Sequence, residues 1–376
     1  MTKNNLNNRK ISFFIPNFKI GGIEVSYKNL CNNLISELPD IELVYCEDVG
    51  PLKKEFHKDV NFVKLNSTRI IPIIWALKRY FENNQPAIFI TPMYMLGNAA
   101  IISKMISRSK PKIIIGARST FSQVINSFST RYESFILHYL SKFLFRYADK
   151  IISVSKGVEN DLMESLKLDH RKIKTIYNPV IDNRHLQKHI APPRHKWFLK
   201  KDPPYKILIS IGRLSHEKGF HGLIEAFSEI EQQHNLRLLI IGEGYLKDDL
   251  INLISHYQLL KKVQIIDFRE DYLSYLAYSD TYILNSLYEG LPATLIEALA
   301  VGCNVISSDC NHGPREILKN GKYGILFPVG DKEKLKRGII DSFTEKRNEL
   351  FNPSENDFTA HESSLSYLRA INSLLN

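Results

Sequence analysis

The sequence predicts an α/β protein made of two Rossmann-like domains in tandem, each with a parallel sheet covered by helices on both faces. Three observations lead to this fold class. At 376 residues the chain is long for a single hydrophobic core. Short, nearly continuous runs of Val, Ile and Leu alternate with helical patterns, as is typical of strands buried on both faces. A proline-rich segment separates two such series.

The first series opens with the apolar run 11–16, followed by two glycines and a helical pattern at 23–38. Apolar residues recur at three- and four-residue steps in three more stretches, which predicts helices at 70–83, 97–108 and 130–147. The other strand candidates of this series are IELVYC (41–46), NFVKL (61–65), AIFIT (87–91), KIIIGA (112–117) and KIISVS (150–155).

The second series repeats the alternation of strand and helix. Its strand candidates are KILISIG (206–212), LRLLIIG (236–242), VQIID (263–267), TYILN (281–285), CNVISS (303–308) and GILF (324–327). Its helical patterns lie at 220–233, 246–257, 271–278, 292–301 and 331–343.

Proline pairs at 192–193 and 203–204 disfavour both helix and central strand between the two series. We therefore expect four parts. They are an N-terminal domain at 1–185, a linker at 186–204, a C-terminal domain at 205–355, and a helix at 356–376 that could pack back on the N-terminal domain.

Cysteine usage and hydropathy point to a reducing cytoplasm. The four cysteines form no CxxC pair and have no His cluster at metal-binding spacing, which argues against a disulfide framework or a zinc site. No apolar run approaches the roughly eighteen residues of a spanning helix. The N-terminal apolar run is too short for a signal peptide.

Positive charge is concentrated in the first half of the chain. Residues 1–200 carry 31 Lys and Arg against 16 Asp and Glu, whereas the remainder carries 19 against 24. Such asymmetry favours an anionic partner, which could be a nucleic acid, an acidic membrane surface or a phosphate-bearing acceptor. The basic first half could also simply form a solvated surface that aids solubility. Because this half lacks helix-turn-helix, zinc-finger and RNP signatures, we do not expect nucleic-acid binding.

Two stretches, 69–81 and 132–147, combine an apolar face with Lys and Arg. Helices of this kind can lie in a membrane interface. More often an amphipathic helix between two strands covers a sheet. We expect both to pack on the first sheet, and contact of their basic ends with a membrane stays open.

Three loops of the second series follow predicted strands, at the edge where open parallel sheets bind ligands. In the first, at 210–220, Arg213 could bind phosphate oxygens through two hydrogen bonds and Lys218 could add a point charge. Together they could neutralise a diphosphate leaving group. His216 could act as an acid or base, although a single loop His is more often incidental. In the second loop, Gly242 and Gly244 could admit a nucleotide or serve only the turn.

The third loop, at 286–308, carries the strongest signal. Glu289 precedes a predicted helix, Pro292 suits its first turn, and Glu297 lies about one turn inside it. Carboxylates accept hydrogen bonds from vicinal hydroxyls. The free backbone N–H groups at the helix start suit a phosphate. Acidic residues at this position also commonly complement the helix dipole.

In order and spacing, GRL-x3-KG (212–219), GEG (242–244) and EGLP-x4-EA (289–298) resemble the retaining glycosyltransferases of the GT-B fold, glycosyltransferase family 4 (group 1). The resemblance covers nearly the whole chain, since GGIE (21–24) and YNPV (177–180) are similar to N-domain segments of that family. The segment NHGPREIL (311–318), which includes Arg315, resembles a GPREIL variant of bacterial surface-glycan enzymes.

The resemblance implies a role for each matching position. The donor diphosphate would be held by Arg213 and Lys218, the transferred sugar contacted by Glu289, and the ribose bound by Glu297. Of these, Arg213, Lys218 and Glu289 are the expected catalytic residues. The other residues expected to line the donor are Gly21, Gly22, Gly212, Gly242, Gly244, Gly290, Leu291 and Pro292.

One departure from the family concerns a His that many members carry after an N-domain strand. The comparable stretch here, ITPMYMLGNAA (90–100), has no His. Asn98 could replace it, and Arg118, after another strand, could also reach toward the donor.

The resemblance implies transfer of a sugar with retained configuration and without metal or cofactor, and the GPREIL-like segment favours a UDP-linked N-acetylhexosamine as the donor. The acceptor would be a glycan or a lipid-diphosphate-linked chain bound by the N-terminal domain, with the donor on the C-terminal domain. The basic N-terminal domain would contact the anionic inner face of the cytoplasmic membrane. The alternatives are a nucleotide-sugar epimerase on the same scaffold and, less favoured, a basic nucleic-acid-binding module.

Overall fold

The computed structural model describes residues 9–126, 130–187, 189–199, 203–344, 351–354 and 356–375. The chain divides into two compact units. Unit 1 comprises Met1–Pro179 together with Asp357–Asn376, and unit 2 comprises Val180–Asn356. Each unit has its own parallel sheet with helices between the strands, so the predicted fold of two Rossmann-like domains is confirmed.

The sheet of unit 1 has seven parallel strands in the order β3-β2-β1-β4-β5-β6-β7. These strands are, from β1 to β7, Ile11–Ile15, Ile41–Tyr45, Asn61–Lys64, Ile88–Pro92, Lys112–Ala117, Lys150–Ser153 and Ile173–Thr175. The strands β1, β2 and β4 are buried along their whole length. Strands covered on both faces favour apolar side chains at most positions, which explains the nearly continuous apolar runs. The strand order reverses between β1 and β4.

In the described part of unit 1, six α-helices precede the boundary and one stands near the end of the chain. These are, for α1 to α6, Gly22–Leu34, Ile70–Asn84, Tyr94–Ile106, Phe121–Asn126, Arg131–Leu144 and Lys156–Leu166, and α13, Ala360–Leu375. The last helix packs against α1, and its Tyr367 and Ile371 are fully buried in the core of unit 1. The α5 helix begins with a side-chain N-cap, in which the Thr130 hydroxyl accepts a hydrogen bond from the Glu133 N–H.

Unit 2 has six parallel strands in the order β10-β9-β8-β11-β12-β13. The strands β8 to β13 are Lys206–Ile211, Leu236–Ile241, Val263–Ile266, Thr281–Leu284, Asn304–Ser308 and Ile325–Phe327. The helices α7 to α12 are Phe220–His234, Lys247–His256, Tyr272–Tyr278, Ala293–Ala300, Pro314–Ile317 and Lys332–Thr344. The strand order reverses between β8 and β11, which places a ligand-binding crevice at their carboxyl ends.

The segment 180–204 differs from its sequence interpretation. Residues 180–185, which we assigned to the N-terminal domain, belong to unit 2. Within the described part of the expected linker, Trp197 and Phe198 are buried, and the His195 Nε2 lies 2.9 Å from the Gln264 Oε1. The prolines exclude an α-helix or central strand here, but a short 3-10 helix, Lys196–Phe198, forms between them and buries its aromatic side chains in unit 2.

Four short elements were absent from the sequence prediction: α4, α6, β7 and α11. The strand β7 has only three residues, of which one is buried. The helix α6 is rich in polar residues, so its apolar period is faint. Elements of this kind form because neighbouring strands and helices complete their burial, and local pattern alone does not reveal them.

The charge asymmetry becomes clearer with the structural boundaries. Unit 1 carries 27 Lys and Arg against 17 Asp and Glu, whereas unit 2 carries 23 against 23. The whole excess of positive charge therefore lies in unit 1, and the acidic character inferred for the second half disappears because the basic residues of 180–200 belong to unit 2.

The two amphipathic stretches both pack into unit 1. The α2 helix buries Ile73, Leu77 and Phe81, and α5 buries Leu137 and Leu144. Among the described residues, no helix is long and apolar enough to cross a membrane.

Candidate functional site

The loops after β8 and β11 meet at the carboxyl end of the unit 2 sheet, and we call the space between them the β8–β11 crevice (212–219 and 285–292). These two strands are neighbours at the point where the strand order reverses. The Asn285 side chain donates a hydrogen bond of 2.7 Å to the Gly219 carbonyl. This bond fixes the two loops against each other and sets the positions of the side chains between them.

Lys218 and Glu289 form the central contact of the crevice. The Lys218 Nζ lies 2.6 Å from the Glu289 Oε1, and the Ser286 hydroxyl donates to the same oxygen over 2.6 Å. The two charged side chains are 22% and 11% exposed, so a ligand can reach them although the pair is largely shielded from water. Diphosphate oxygens could attract the ammonium, and sugar hydroxyls could donate to the carboxylate. The sequence placed both residues at this edge, and the structure adds their direct contact.

Arg213 and His216 occupy the same loop but are exposed. No ion pair to the Arg213 guanidinium is found among the residues that the structure describes, so this cation is available to an anionic ligand at the crevice. The His216 backbone N–H donates to the Tyr245 hydroxyl over 3.2 Å. This bond ties the β8 loop to the segment after β9.

The GEG segment after β9 has a clear packing role. A Cβ atom at Gly242 would lie 1.9 Å from the Gly212 carbonyl oxygen, so only glycine allows the two loops to approach this closely. The Leu214 N–H donates to the Glu243 carbonyl over 2.8 Å and continues the contact. A Cβ at Gly244 would similarly meet the Leu214 carbonyl. A donor-binding role for these glycines stays a prediction.

Glu297 lies one turn inside α10, which begins directly after Pro292. Its side chain is largely buried, and its Oε1 accepts a 2.7 Å hydrogen bond from the Tyr272 hydroxyl. The same oxygen lies 3.8 Å from the His185 Nε2. On the other side of the ring, the His185 Nδ1 lies 3.0 Å from the Asp182 Oδ1. Sequence reasoning missed Tyr272 and His185, because neither spacing nor composition relates them to Glu297.

Both carboxylates influence the buried imidazole. Burial alone would lower the pKa of His185, but the hydrogen bond to Asp182 and the charge interaction with the nearby Glu297 carboxylate outweigh burial and raise this pKa to about 9. Burial opposes the charge of Asp182 as well, yet His185 and Arg184 hold the pKa of that carboxyl well below its usual range. His185 is therefore a cation near neutral pH, placed between Asp182 and Glu297.

This arrangement predicts a pH-dependent stability. The folded-state pKa of His185 is raised, so its contribution is complete below the ordinary value of 6.5 and is lost as pH rises through about 9. We expect His185→Gln to lower the free energy of unfolding by at most about 3 kcal/mol near neutral pH. The difference from the original chain should shrink at about pH 10. Thermal unfolding across this range measures it, and parallel pH profiles for the two proteins would contradict it.

The segment NHGPREIL shapes the loop that carries Glu289. Gly313 has φ +96°, and a Cβ there would lie 2.6 Å from the Pro292 Cδ and 3.1 Å from the Gly290 carbonyl oxygen. The close approach of Gly313 to Pro292 and Gly290 also supports the loop position of Leu291, which is buried. The Arg315 guanidinium pairs with Asp309 and is 60% exposed. A donor-site role of Arg315 stays a prediction, and Gly313 is the residue of this segment that packs against the Glu289 loop.

In unit 1, two glycines stand where β1 leads into α1. Gly21 is the N-cap residue and Gly22 the first helical residue, so their backbone N–H groups belong to the unpaired set at a helix start.

The expectation that Asn98 could replace the family's His is corrected. Asn98 is buried between α3 and α5, where its amide donates to the Ser141 hydroxyl over 2.9 Å, and it therefore cannot face a donor. The residue that directly follows β4 is Met93.

Arg118 is held inside unit 1. Its Nη1 donates to the Ser26 hydroxyl over 2.9 Å and to Asn178, and the guanidinium lies 4.7 Å from the centre of the Tyr27 ring. Arg118 also lines a cavity of about 300 Å³ at the carboxyl ends of β1, β4 and β5. It shares that cavity with Met93, whose φ of 63° is rare for a residue with a side chain.

The described residues contain no group of three or more His, Cys, Asp or Glu side chains placed to hold a metal ion. The cationic groups at the β8–β11 crevice are Lys218 and Arg213.

Two Rossmann-like units, with a paired cation and carboxylate at the switch point of the second, define the class of GT-B-type enzymes. The family follows from sequence models. Residues 20–184 match the model described as Glycosyltransferase Family 4, and residues 193–357 match the one described as Glycosyl transferases group 1. The chain belongs to this glycosyltransferase family, and it is a hexosyltransferase.

Relatives with assigned activities agree with this membership. The chain is 28% identical over 340 residues to an N-acetylgalactosamine-N,N'-diacetylbacillosaminyl-diphospho-undecaprenol 4-alpha-N-acetylgalactosaminyltransferase of Campylobacter jejuni, covering 89% of this chain and 80% of the relative. It is also 28% identical to the amylovoran biosynthesis glycosyltransferase AmsD of Erwinia amylovora, covering 66% of each. These relatives are transferases, and neither an epimerase nor a nucleic-acid-binding activity finds support.

Solved structures share the fold at lower identity. A glycosyltransferase from Rickettsia africae superposes with a TM-score of 0.79 at 18% identity, covering 98% of this chain and 99% of the other. Anabaena Alr3699/HepE in complex with UDP superposes with a TM-score of 0.73 at 16% identity, covering 97% and 100%. The GT-B fold is thus confirmed over nearly the whole chain.

Proposed function

We propose that this enzyme transfers an N-acetylhexosamine from a UDP-linked donor, with retained anomeric configuration, to a glycan or lipid-diphosphate-linked acceptor in surface-glycan assembly. The observation that carries the proposal is the 2.6 Å contact between Lys218 and Glu289 at the switch point of unit 2. One partner suits a diphosphate and the other suits sugar hydroxyls, so the pair marks the junction between nucleotide and sugar.

In the proposed reaction, Lys218 and Arg213 neutralise the charge that develops on the diphosphate as its bond to the sugar breaks. Glu289 holds the sugar through its hydroxyls. The acceptor hydroxyl forms the new bond to the anomeric carbon on the same face and gives its proton to the departing diphosphate. This sequence needs no protein nucleophile. The two cations supply the charge that a metal would otherwise bring, so we propose that the transfer requires no metal.

Glu297 is assigned to the ribose in this proposal. Its hydrogen bond from Tyr272 and the nearby His185 fix the direction of the carboxylate. A fixed, charged acceptor suits the two hydroxyls of a ribose.

The acceptor class rests on two supports. The Campylobacter relative is named for a diphospho-undecaprenol-linked acceptor and for N-acetylgalactosamine transfer. The whole excess of positive charge lies in unit 1, which suits an acceptor at an anionic membrane surface. We therefore propose that unit 1 binds the acceptor at the inner face of the cytoplasmic membrane.

A panel of nucleotide sugars tests the donor assignment. We expect UDP-N-acetylhexosamines to raise the melting temperature more than GDP- or ADP-linked sugars, because only the bound donor stabilises the folded chain. The panel is run with EDTA, since the proposal needs no divalent cation. A loss of stabilisation on chelation, or preference for another nucleotide, would contradict the corresponding part of the proposal. Incubation of the preferred donor without acceptor should give no epimer.

A further inference from the structure

The α5 helix of unit 1 presents a long apolar stripe to solvent. Seven large side chains of this helix and the turn that follows are between 38% and 74% exposed. They are Tyr132, Phe135, Ile136, Tyr139, Leu140, Phe143 and Tyr147. Soluble domains seldom expose a contiguous apolar surface of this size unless it binds something.

The spacing of the stripe is helical. Each member of the stripe lies three or four residues from another member, which places all of them on one side of the helix. The buried residues Leu137, Ser141 and Leu144 occupy the other side, where α5 packs on the rest of unit 1. The helix therefore has a second apolar face that its own unit does not use.

Aromatic rings contact one another at two places along the stripe. The rings of Phe135 and Tyr139 are 4.4 Å apart between centroids, and those of Phe143 and Tyr147 are 5.5 Å apart. Tyr combines an apolar ring with a hydroxyl that prefers water, and it is enriched where hydrocarbon meets headgroups.

Positive charge borders the stripe. Arg131, Lys142 and Arg146 lie on the same stretch, and Arg131 and Arg146 are exposed. The acidic residue of the helix, Glu133, is engaged at the N-terminus by the Thr130 hydroxyl. An apolar face edged by Lys and Arg matches a surface of hydrocarbon and anionic headgroups.

We propose that α5 is the membrane-docking element of this enzyme, and that it lies in the interface of an anionic phospholipid bilayer with the stripe inserted. The inference rests on the proposed function, since it names the surface on which the lipid-linked acceptor would be met. A second copy of the chain is a poorer partner. A symmetric contact through the stripe would bring the basic residues of both copies close together and cost electrostatic energy.

Vesicle sedimentation of the full chain tests the proposal. The wild type should bind vesicles of phosphatidylglycerol mixed with phosphatidylethanolamine, and bind pure phosphatidylcholine weakly. The double substitution Phe135→Ser/Phe143→Ser should lower binding by about tenfold or more, because two large apolar side chains no longer insert. The control Leu199→Ser/Leu260→Ser removes two side chains of unit 2 that are 75% and 59% exposed, and it should bind as the wild type does.

A second measurement locates the contact. Tyr139→Trp should show a blue-shifted emission on anionic vesicles and quenching by brominated lipid, beyond any change in the wild type. Absence of wild-type binding at low salt, equal binding of Phe135→Ser/Phe143→Ser, or no response of the new Trp would each overturn the proposal. So would a dimer in sedimentation velocity that this double variant dissociates. Donor stabilisation is measured in parallel, and it should be unchanged in the α5 variants, so failure of docking and failure of the donor assignment can be told apart.

Discussion

Replacing Lys218 by Ala is expected to lower the rate of sugar transfer by about 10²–10³-fold, the usual loss when one group that stabilises transition-state charge is removed. The ammonium lies at the switch point, 2.6 Å from Glu289, and is the least exposed cation of its loop. In the proposed reaction, the departing diphosphate then lacks one of the two cations that neutralise its charge. Steady-state transfer measures the effect, and thermal unfolding should show that the chain remains folded.

Lys332→Ala is the matched control, because Lys332 also belongs to unit 2 and lies 2.6 Å from a carboxylate, that of Glu229. Loss of that exposed pair should change turnover little. Near-normal turnover of Lys218→Ala would remove the basis of the donor-site assignment.

Replacing Glu289 by Ala should produce the second large effect, a loss of about 10²-fold in transfer with nucleotide binding retained. The physical reason is specific to the pair. Glu289 holds the Lys218 ammonium in the unliganded chain, so its removal leaves that charge available to phosphate. We therefore expect the affinity for UDP alone to stay the same or rise, while the intact nucleotide sugar loses its contact with the sugar.

Isothermal titration with UDP and with the nucleotide sugar separates these effects. Glu229→Ala, which removes a carboxylate paired with two lysines elsewhere in unit 2, is the control and should leave both affinities unchanged. If UDP binding collapsed in Glu289→Ala instead, the roles given to Glu289 and Glu297 would be exchanged. In that case Glu297→Gln, which keeps the shape of the buried side chain, should spare the nucleotide.

Much of the fold could be predicted because its strands are buried on both faces. Runs such as 11–16 and 236–242 are apolar at most positions, with Ser12 and Arg237 as exceptions, and glycines follow where the chain turns. The elements that were missed, such as β7 and α6, are short or polar and depend on their neighbours. The linker was misjudged for a related reason, since prolines indicate where regular structure stops but not where Trp197 and Phe198 are buried.

By itself the sequence determined the class of fold, the family, and the set of loops that carry Lys218 and Glu289, because these depend on local patterns and fixed spacings. Only the tertiary structure decided which side chains meet. It placed Lys218 against Glu289 across 71 residues of chain, and His185 beside Glu297, and it took Asn98 out of the site. It also showed that α5 buries one apolar face and exposes another, a difference that periodicity cannot reveal, because exposure depends on what the rest of the fold leaves uncovered.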